Sequence, residues 1–88
     1  MIVEGSSAKI IANKLDKNIK ANIALGGKNC GNSRIKYNII ENSKSEGIFI
    51  CEGEENLLVE ENVVTGNHDG IVLVHSKGII RANMVKEN

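Results

Sequence analysis

Aliphatic and polar positions alternate in short bursts along this chain, and each burst is centred on an asparagine. The bursts are KIIANKL (9–15), RIKYNII (34–40), LVEENVV (58–64) and IIRANMV (79–85), around Asn13, Asn38, Asn62 and Asn83. An aliphatic residue stands three positions before each Asn: Ile10, Ile35, Val59 and Ile80. Another stands two positions after it: Leu15, Ile40, Val64 and Val85. A period of two is that of a strand, not of a helix. Asparagine is poor inside a strand but tolerates turns and left-handed backbone. The pattern therefore predicts a bend at each Asn, between two very short strands. Asn18, Asn67 and Asn88 each stand five residues after such a bend.

A third apolar element follows each bend: NIAL at 22–25, GIFI at 47–50 and GIVL at 70–73. Its inward pairs are Ile23/Leu25, Ile48/Ile50 and Ile71/Leu73. Gly47 and Gly70 align with Asn22. Gly and Asn share an ease with positive φ, so one backbone role is expected at that position. At the start, Ile2-Val3-Glu4-Gly5 matches Ile50-Cys51-Glu52-Gly53. That match predicts a chain that begins inside a coil.

Successive bends lie 25, 24 and 21 residues apart. Self-similarity at such a period is the mark of a solenoid. Three short strands per coil describe an all-β, right-handed parallel β-helix, with equivalent strands about 4.8 Å apart. The expected organisation is one segment over residues 1–88, with about three complete coils and ragged ends, cut from a longer solenoid. Four interior columns follow: Ile10/Ile35/Val59/Ile80, Leu15/Ile40/Val64/Val85, Ile23/Ile48/Ile71 and Leu25/Ile50/Leu73. Stacked Asn side chains are expected to form an amide ladder along the axis. A leucine-rich repeat has a similar period, but it needs a dense leucine pattern. This chain holds Leu15, Leu25, Leu57, Leu58 and Leu73 alone.

Composition narrows the function. Eleven basic and eleven acidic residues cancel, which argues against nucleic acid as the partner. One Tyr, one Phe and no Trp leave few platforms for stacking bases or sugars. No apolar run is long enough to span a membrane, and no signal peptide is evident. No Asn lies in an N-x-S/T context, which points to an intracellular, cytoplasmic protein. Cys30 and Cys51 fall at different phases of the repeat, so a disulfide is not indicated. The neutral total hides an asymmetry. Residues 1–44 hold eight Lys/Arg and three Asp/Glu, and residues 45–88 hold three and eight. Solvated faces, head-to-tail association or complementary charge on neighbouring coils would each account for it.

The stretch from Asn38 to Asn88, above all EGIFICEGEENLLVEENVVTGNHDGIVLV, resembles the β-helix repeats of several families. It is similar to the β-helix domain of F-box-only proteins, the substrate receptors of ubiquitin ligases. There a GI(F/Y) strand and an acidic-Gly turn precede an (I/V)xxN(x)(I/V)xxN segment and another Gly-aliphatic strand. Carbohydrate-binding and sugar-hydrolysing β-helix domains, and periplasmic copper-maturation proteins, carry the same repeat. The resemblance implies the fold; the shared residues build the coil and leave function open. This chain has no F-box segment.

Chemistry is sparse. Pectin-cleaving β-helices use several acidic residues, often with calcium, or a basic residue as proton acceptor; the candidates here are Glu52, Glu54, Glu55, Glu60, Glu61 and Asp69, with Arg81 as the base. Calcium takes six to eight converging oxygens, and a solvated acidic turn at 52–55 is the simpler reading. His68-Asp69 lacks a paired nucleophile, and His75 follows a strand. Two His and two Cys have no zinc-ligand spacing. Gly26, Gly27 and Gly31 form no phosphate loop, though the irregular loop 26–33 is the first place to look for function. The sequence thus predicts no catalytic residue, no cofactor and no metal. It predicts a protein-interaction scaffold, with Glu52, Glu54, Glu55, Phe49 and Tyr37 as the surface candidates. A carbohydrate-binding or carbohydrate-cleaving domain and a subunit that self-associates end to end are the alternatives.

Overall fold

A computed structural model of the chain describes residues 1–26, 32–51, 56–74 and 78–88. Twelve strands and no helix are found among them. In chain order the strands are β1 (Ile2–Glu4), β2 (Lys9–Ile11), β3 (Lys14–Asp16), β4 (Ile23–Gly26), β5 (Arg34–Lys36) and β6 (Ile39–Glu41). They continue with β7 (Glu46–Cys51), β8 (Leu57–Glu60), β9 (Val63–Thr65), β10 (Asp69–Val74), β11 (Gly78–Arg81) and β12 (Met84–Lys86). Every third strand pairs in parallel, giving three four-stranded sheets. Sheet A is β1-β4-β7-β10, sheet B is β2-β5-β8-β11 and sheet C is β3-β6-β9-β12. Each rung of the solenoid thus contributes one strand to each sheet, and there are four rungs.

The interior columns follow the predicted register. Ile10 pairs with Ile35, Ile35 with Val59 and Val59 with Ile80. Leu15, Ile40, Val64 and Val85 stack likewise in sheet C. Ile23, Ile48 and Ile71 form one column of sheet A, and Val3, Leu25, Ile50 and Leu73 form the next. The middle members are sealed: Ile35, Ile40, Ile48, Ile50, Val59 and Val64 are at most 1% exposed. Ile80, Val85 and Leu73 keep the register yet are exposed, because the fourth rung has a neighbour on one side. Leu57 joins the core from outside the predicted columns, opposite Gly78.

Three expectations are corrected. The match of Ile2-Val3 to Ile50-Cys51 is displaced by one residue, since Val3 is the partner of Leu25 and so of Ile50. A one-residue slip reverses every side chain. Val3 therefore packs on the core, and Ile2 is 68% exposed. Secondly, the left-handed residue at each bend is not the Asn but the one before it. Ala12, Tyr37, Glu61 and Ala82 have φ of 52–58°. That left-handed residue turns the chain and aims the following Asn inward.

There the Asn amides stack in a ladder. Asn38 donates from its main-chain N–H (3.0 Å) and its Nδ2 (2.9 Å) to Asn62 Oδ1. Its Nδ2 also donates to Ile10 O at 2.9 Å, and its Oδ1 accepts from Asn13. Asn62 repeats this with Asn83 and Ile35 O. All four hydrogen-bonding positions of each central amide are filled, as a buried amide requires.

A second ladder runs five residues on, and it holds the third correction. Lys17, Asn42, Gly66 and Glu87 are left-handed there and precede Asn18, Ser43, Asn67 and Asn88. Ser43 is too short to carry an amide, and Asn22 supplies one instead. Asn22 Nδ2 donates to Asn67 Oδ1 (3.0 Å) and Glu41 O (3.1 Å), and its Oδ1 accepts from Asn18 Nδ2. An Asn at position 43 would make the same links along the ladder and to Glu41 O, because Asn67 and Asn88 each donate to the carbonyl two residues earlier; their further bonds one rung back, to Ile40 O and Val64 O, have no counterpart at Asn22. Where the next rung does carry Asn, the aligned residue is Gly. A Cβ on Gly47 would lie 2.7 Å from Val64 Cγ1 and 2.9 Å from Asn67 Nδ2, and one on Gly70 would lie 2.7 Å from Val85 Cγ1 and 3.3 Å from Asn88 Nδ2. Neither glycine has positive φ. The Gly/Asn equivalence at positions 22, 47 and 70 is thus one of space, with one amide per rung and two places to hang it.

Two measurements test this interior. Ile48→Ala should cost about 2–5 kcal/mol in urea unfolding, because its site is closed on all sides. Asn22→Gly and Ser43→Asn should each destabilise, the first by a gap and the second by crowding. The double variant should recover, with a coupling of about 0.5–3 kcal/mol in a double-mutant cycle. Simple additivity of the two would refute the shared site.

Candidate functional site

Outward positions alternate with inward ones, so the columns that fix the core also fix what each outer face carries. Sheet B presents a row of Ile11, Lys36, Glu60 and Arg81. Lys36 Nζ lies 3.0 Å from Glu60 Oε1, and Arg81 Nε donates to Glu60 Oε2 at 2.7 Å. The hydrogen bond from Arg81 and then that from Lys36 hold the Glu60 carboxyl below the usual carboxylate range. Glu60 is therefore ionised and doubly paired, the opposite of an acid poised to donate a proton near neutrality. Arg81 is likewise occupied by Glu60, which raises its pKa further, so it is unsuited to act as a base.

This row also resolves the charge asymmetry. Residues 46–68 hold six Glu and no Lys or Arg, while residues 69–88 hold Lys77, Arg81 and Lys86 against Asp69 and Glu87. Along the sequence the acidic excess thus falls between the basic residues 1–44 and the nearly neutral residues 69–88, and not at the C-terminal end. Lys14 and Glu41, 3.7 Å apart on sheet C, are a second pairing between neighbouring rungs.

Sheet A differs. Its outer row is Ile2, Ala24, Phe49 and Val72, in register across β1, β4, β7 and β10. Ile2 is exposed and the other three are half-buried. At the edge of this row lies a groove of about 420 Å³. Met1, Ile2, Ala21 and Ala24 are among its apolar lining, and Lys20 and Glu46 are its charged members. Ala24 is the small residue in a row of larger ones. The corner between sheets C and A is longest here, six residues at 17–22 against four at 42–45 and three at 66–68.

The predicted surface residues are scattered by the fold. Phe49 lies on the outer face of sheet A. Tyr37 lies at the bend between sheets B and C, exposed, with Lys36 Nζ 6.0 Å from its ring centroid. The two aromatics therefore share no site. Glu52, Glu54, Glu55, His75 and Cys30 lie outside the described residues, as does most of loop 26–33. His68 and Asp69 are both exposed, with Nδ1 and Oδ2 3.4 Å apart. Among the described residues, no three His, Cys, Asp or Glu side chains converge as a cation site would require. Asn13, Asn38, Asn62 and Asn83 are absorbed in the ladder. Ala24, Phe49 and Val72 fall into one outward row once the third elements are aligned, and Ile2 joins them only through the pairing of β1 with β4.

The Glu60 pairing predicts a pH effect. A carboxyl whose folded pKa is depressed stabilises the fold above the ordinary carboxylate range, and loses that contribution as pH falls through the folded value. Glu60→Gln should lower the melting temperature at about pH 7, and the gap to the parent should narrow as the pH falls below the ordinary carboxylate range. A gap independent of pH in a thermal scan would show that the pairing contributes nothing.

No curated protein and no solved structure matches the chain. A family model described as the right-handed beta helix region matches residues 1–88, the whole of it. With its parallel three-sheet winding and stacked Asn amides, the chain belongs to the right-handed β-helix family.

Proposed function

We propose that the chain is a non-enzymatic binding scaffold that docks a protein partner on the outer face of sheet A. The observation that carries this reading is the in-register row Ile2, Ala24, Phe49 and Val72, uncharged along its length beside a groove of mixed apolar and polar lining. Scattered apolar residues on a surface need no explanation, but a contiguous patch marks an interaction site. Solenoids present extended faces of this kind. The doubly paired Glu60 supports the non-enzymatic half of the proposal. Substrate recognition for a ubiquitin ligase, in the cytoplasm, is the specific role that the repeat resemblance suggests. It is an analogy of fold and not of site.

Phe49→Asp tests the face without opening the core, because Phe49 points away from buried Ile48 and Ile50. The parent protein as bait should retain a specific partner that Phe49→Asp loses, with unchanged circular dichroism. A ligase subunit among the retained proteins would support the narrower role. Equal capture by both baits would sink the proposal, as would retention of oligosaccharide with no protein.

A further inference from the structure

Sheet C carries two outer rows of different character. One is Lys14, Ile39, Val63 and Met84, and the other is Asp16, Glu41, Thr65 and Lys86. Ile39 is 44% and Met84 54% exposed, and Val63 between them is half-buried. These side chains point sideways from the stack, so their exposure does not depend on rungs above or below. Along the adjoining ridge, where sheet B bends into sheet C, stand Ala12, Tyr37, Glu61 and Ala82. Tyr37 is the misfit among them. Its φ of 57° is costly for so bulky a residue, and alanine serves at the same place in two other rungs. It is 54% exposed, so the coil gains little from its ring. Backbone strain held at such a position points to a use outside the fold.

We propose that this face and ridge bind a second copy of the chain side by side, the two solenoids antiparallel. The two-fold axis runs along the strands of sheet C, between the second and third rungs. It keeps each outer row against its own row and reverses the rung order. Ile39 then meets the second copy's Val63, and Val63 meets the second copy's Ile39, as a two-fold contact requires. Charge selects this arrangement. Asp16, at one end of the polar row, faces the second copy's Lys86 at the other, and Glu41 faces the second copy's Thr65. On the ridge, the Tyr37 hydroxyl is placed to donate to the second copy's Glu61 carboxylate, and Ala12 faces the second copy's Ala82, where small side chains allow close approach. Lys14 lays its stem over the second copy's Met84 while its Nζ stays 3.7 Å from Glu41 of its own chain. No like charges meet. A two-fold along the solenoid axis would instead set Lys14 against Lys14, or Ile39 against Glu41. Tyr and Met are residues that interface cores favour. The outer face of sheet A stays free, so this contact is additional to the docking proposed there.

A closed two-fold contact stops at two copies. One face of three-residue strands is smaller than the standard interface of about 800 Å² per partner, so the dimer should dissociate on dilution. Analytical ultracentrifugation of the 88-residue chain should show a monomer–dimer equilibrium that saturates at the dimer. Ile39→Glu, beside Lys14 on the outer face, should abolish it with unchanged circular dichroism. Lys86→Glu and Asp16→Lys should each weaken dimerisation several-fold. An equal mixture of those two variants should recover it, because the mixed dimer has opposite charges at both contacts. Phe49→Asp should leave the equilibrium unchanged, which separates it from docking on sheet A. A monomer at every concentration, assembly beyond two copies, an Ile39→Glu variant that still dimerises, or a mixture no stronger than its parts would overturn the proposal.

Discussion

A primary amide inside an apolar tube has four hydrogen-bonding positions to fill, and here neighbouring rungs fill nearly all of them. Asn38 is satisfied by Asn13, Ile10 O and Asn62, all from other rungs. Leaving a buried polar group unpaired costs about 1–3 kcal/mol, a large fraction of what so small a domain can hold. A rung displaced by one residue would strand its amide and turn its aliphatic side chains outward together. The ladder and the apolar columns therefore enforce the same register. Burial supplies most of the stabilisation, at about 1.5–3 kcal/mol for each sealed aliphatic side chain. The amides supply uniqueness, since an Ile slides over another Ile more readily than one amide finds another.

The second ladder shows that this constraint acts on space and not on sequence position. The amide between Asn18 and Asn67 comes from Asn22, four residues after Asn18 and not from position 43, and it keeps the ladder links and the bond to Glu41 O. Gly47 and Gly70 are the complement, small because the amide and the core valine of the next rung, Val64 or Val85, need their room. Such an exchange lets the corner vary in length while the interior stays the same. The bend between sheets B and C has no such freedom, with two residues in every rung: 12–13, 37–38, 61–62 and 82–83. The drift of the repeat from 25 to 21 residues arises at the other two corners.

This division explains what was legible in the sequence. Columns such as Ile35/Val59 were readable because burial demands the same kind of side chain at each turn, so the period survives any change of residue. The ladder was readable because no other side chain fills Asn's role at the bend. The backbone conformation was not, because left-handed geometry falls on Ala12, Tyr37, Glu61 and Ala82, which share no side-chain chemistry. They are tolerated there because the ladder beside them holds the bend. The phase of β1 was misread because Ile2 and Val3 are both aliphatic, and pairing with β4 decides which of them turns inward. The candidate surface was legible only in part. Phe49 stood out as a lone aromatic, but its row includes Ala24 and Val72, which carry no signal until three strands are aligned.

The outer faces then differ for a reason the scaffold does not impose. An outward position on a β-helix is free to be polar, and sheets B and C use that freedom: Lys36, Glu60 and Arg81 neutralise one another, and Lys14 reaches Glu41. Those pairs sit at rung-to-rung distance, so they reinforce the stack while keeping the surface wet. The row on sheet A gains nothing comparable. Strands about 4.8 Å apart bring Ile2, Ala24, Phe49 and Val72 into one contiguous stripe rather than four isolated residues. Charged residues are at hand on either side of it, at Glu4 and Glu46. The coil beneath does not require this row to be apolar, and the one Phe of a neutral, aromatic-poor chain stands in it, which is the basis of the docking proposed for this face.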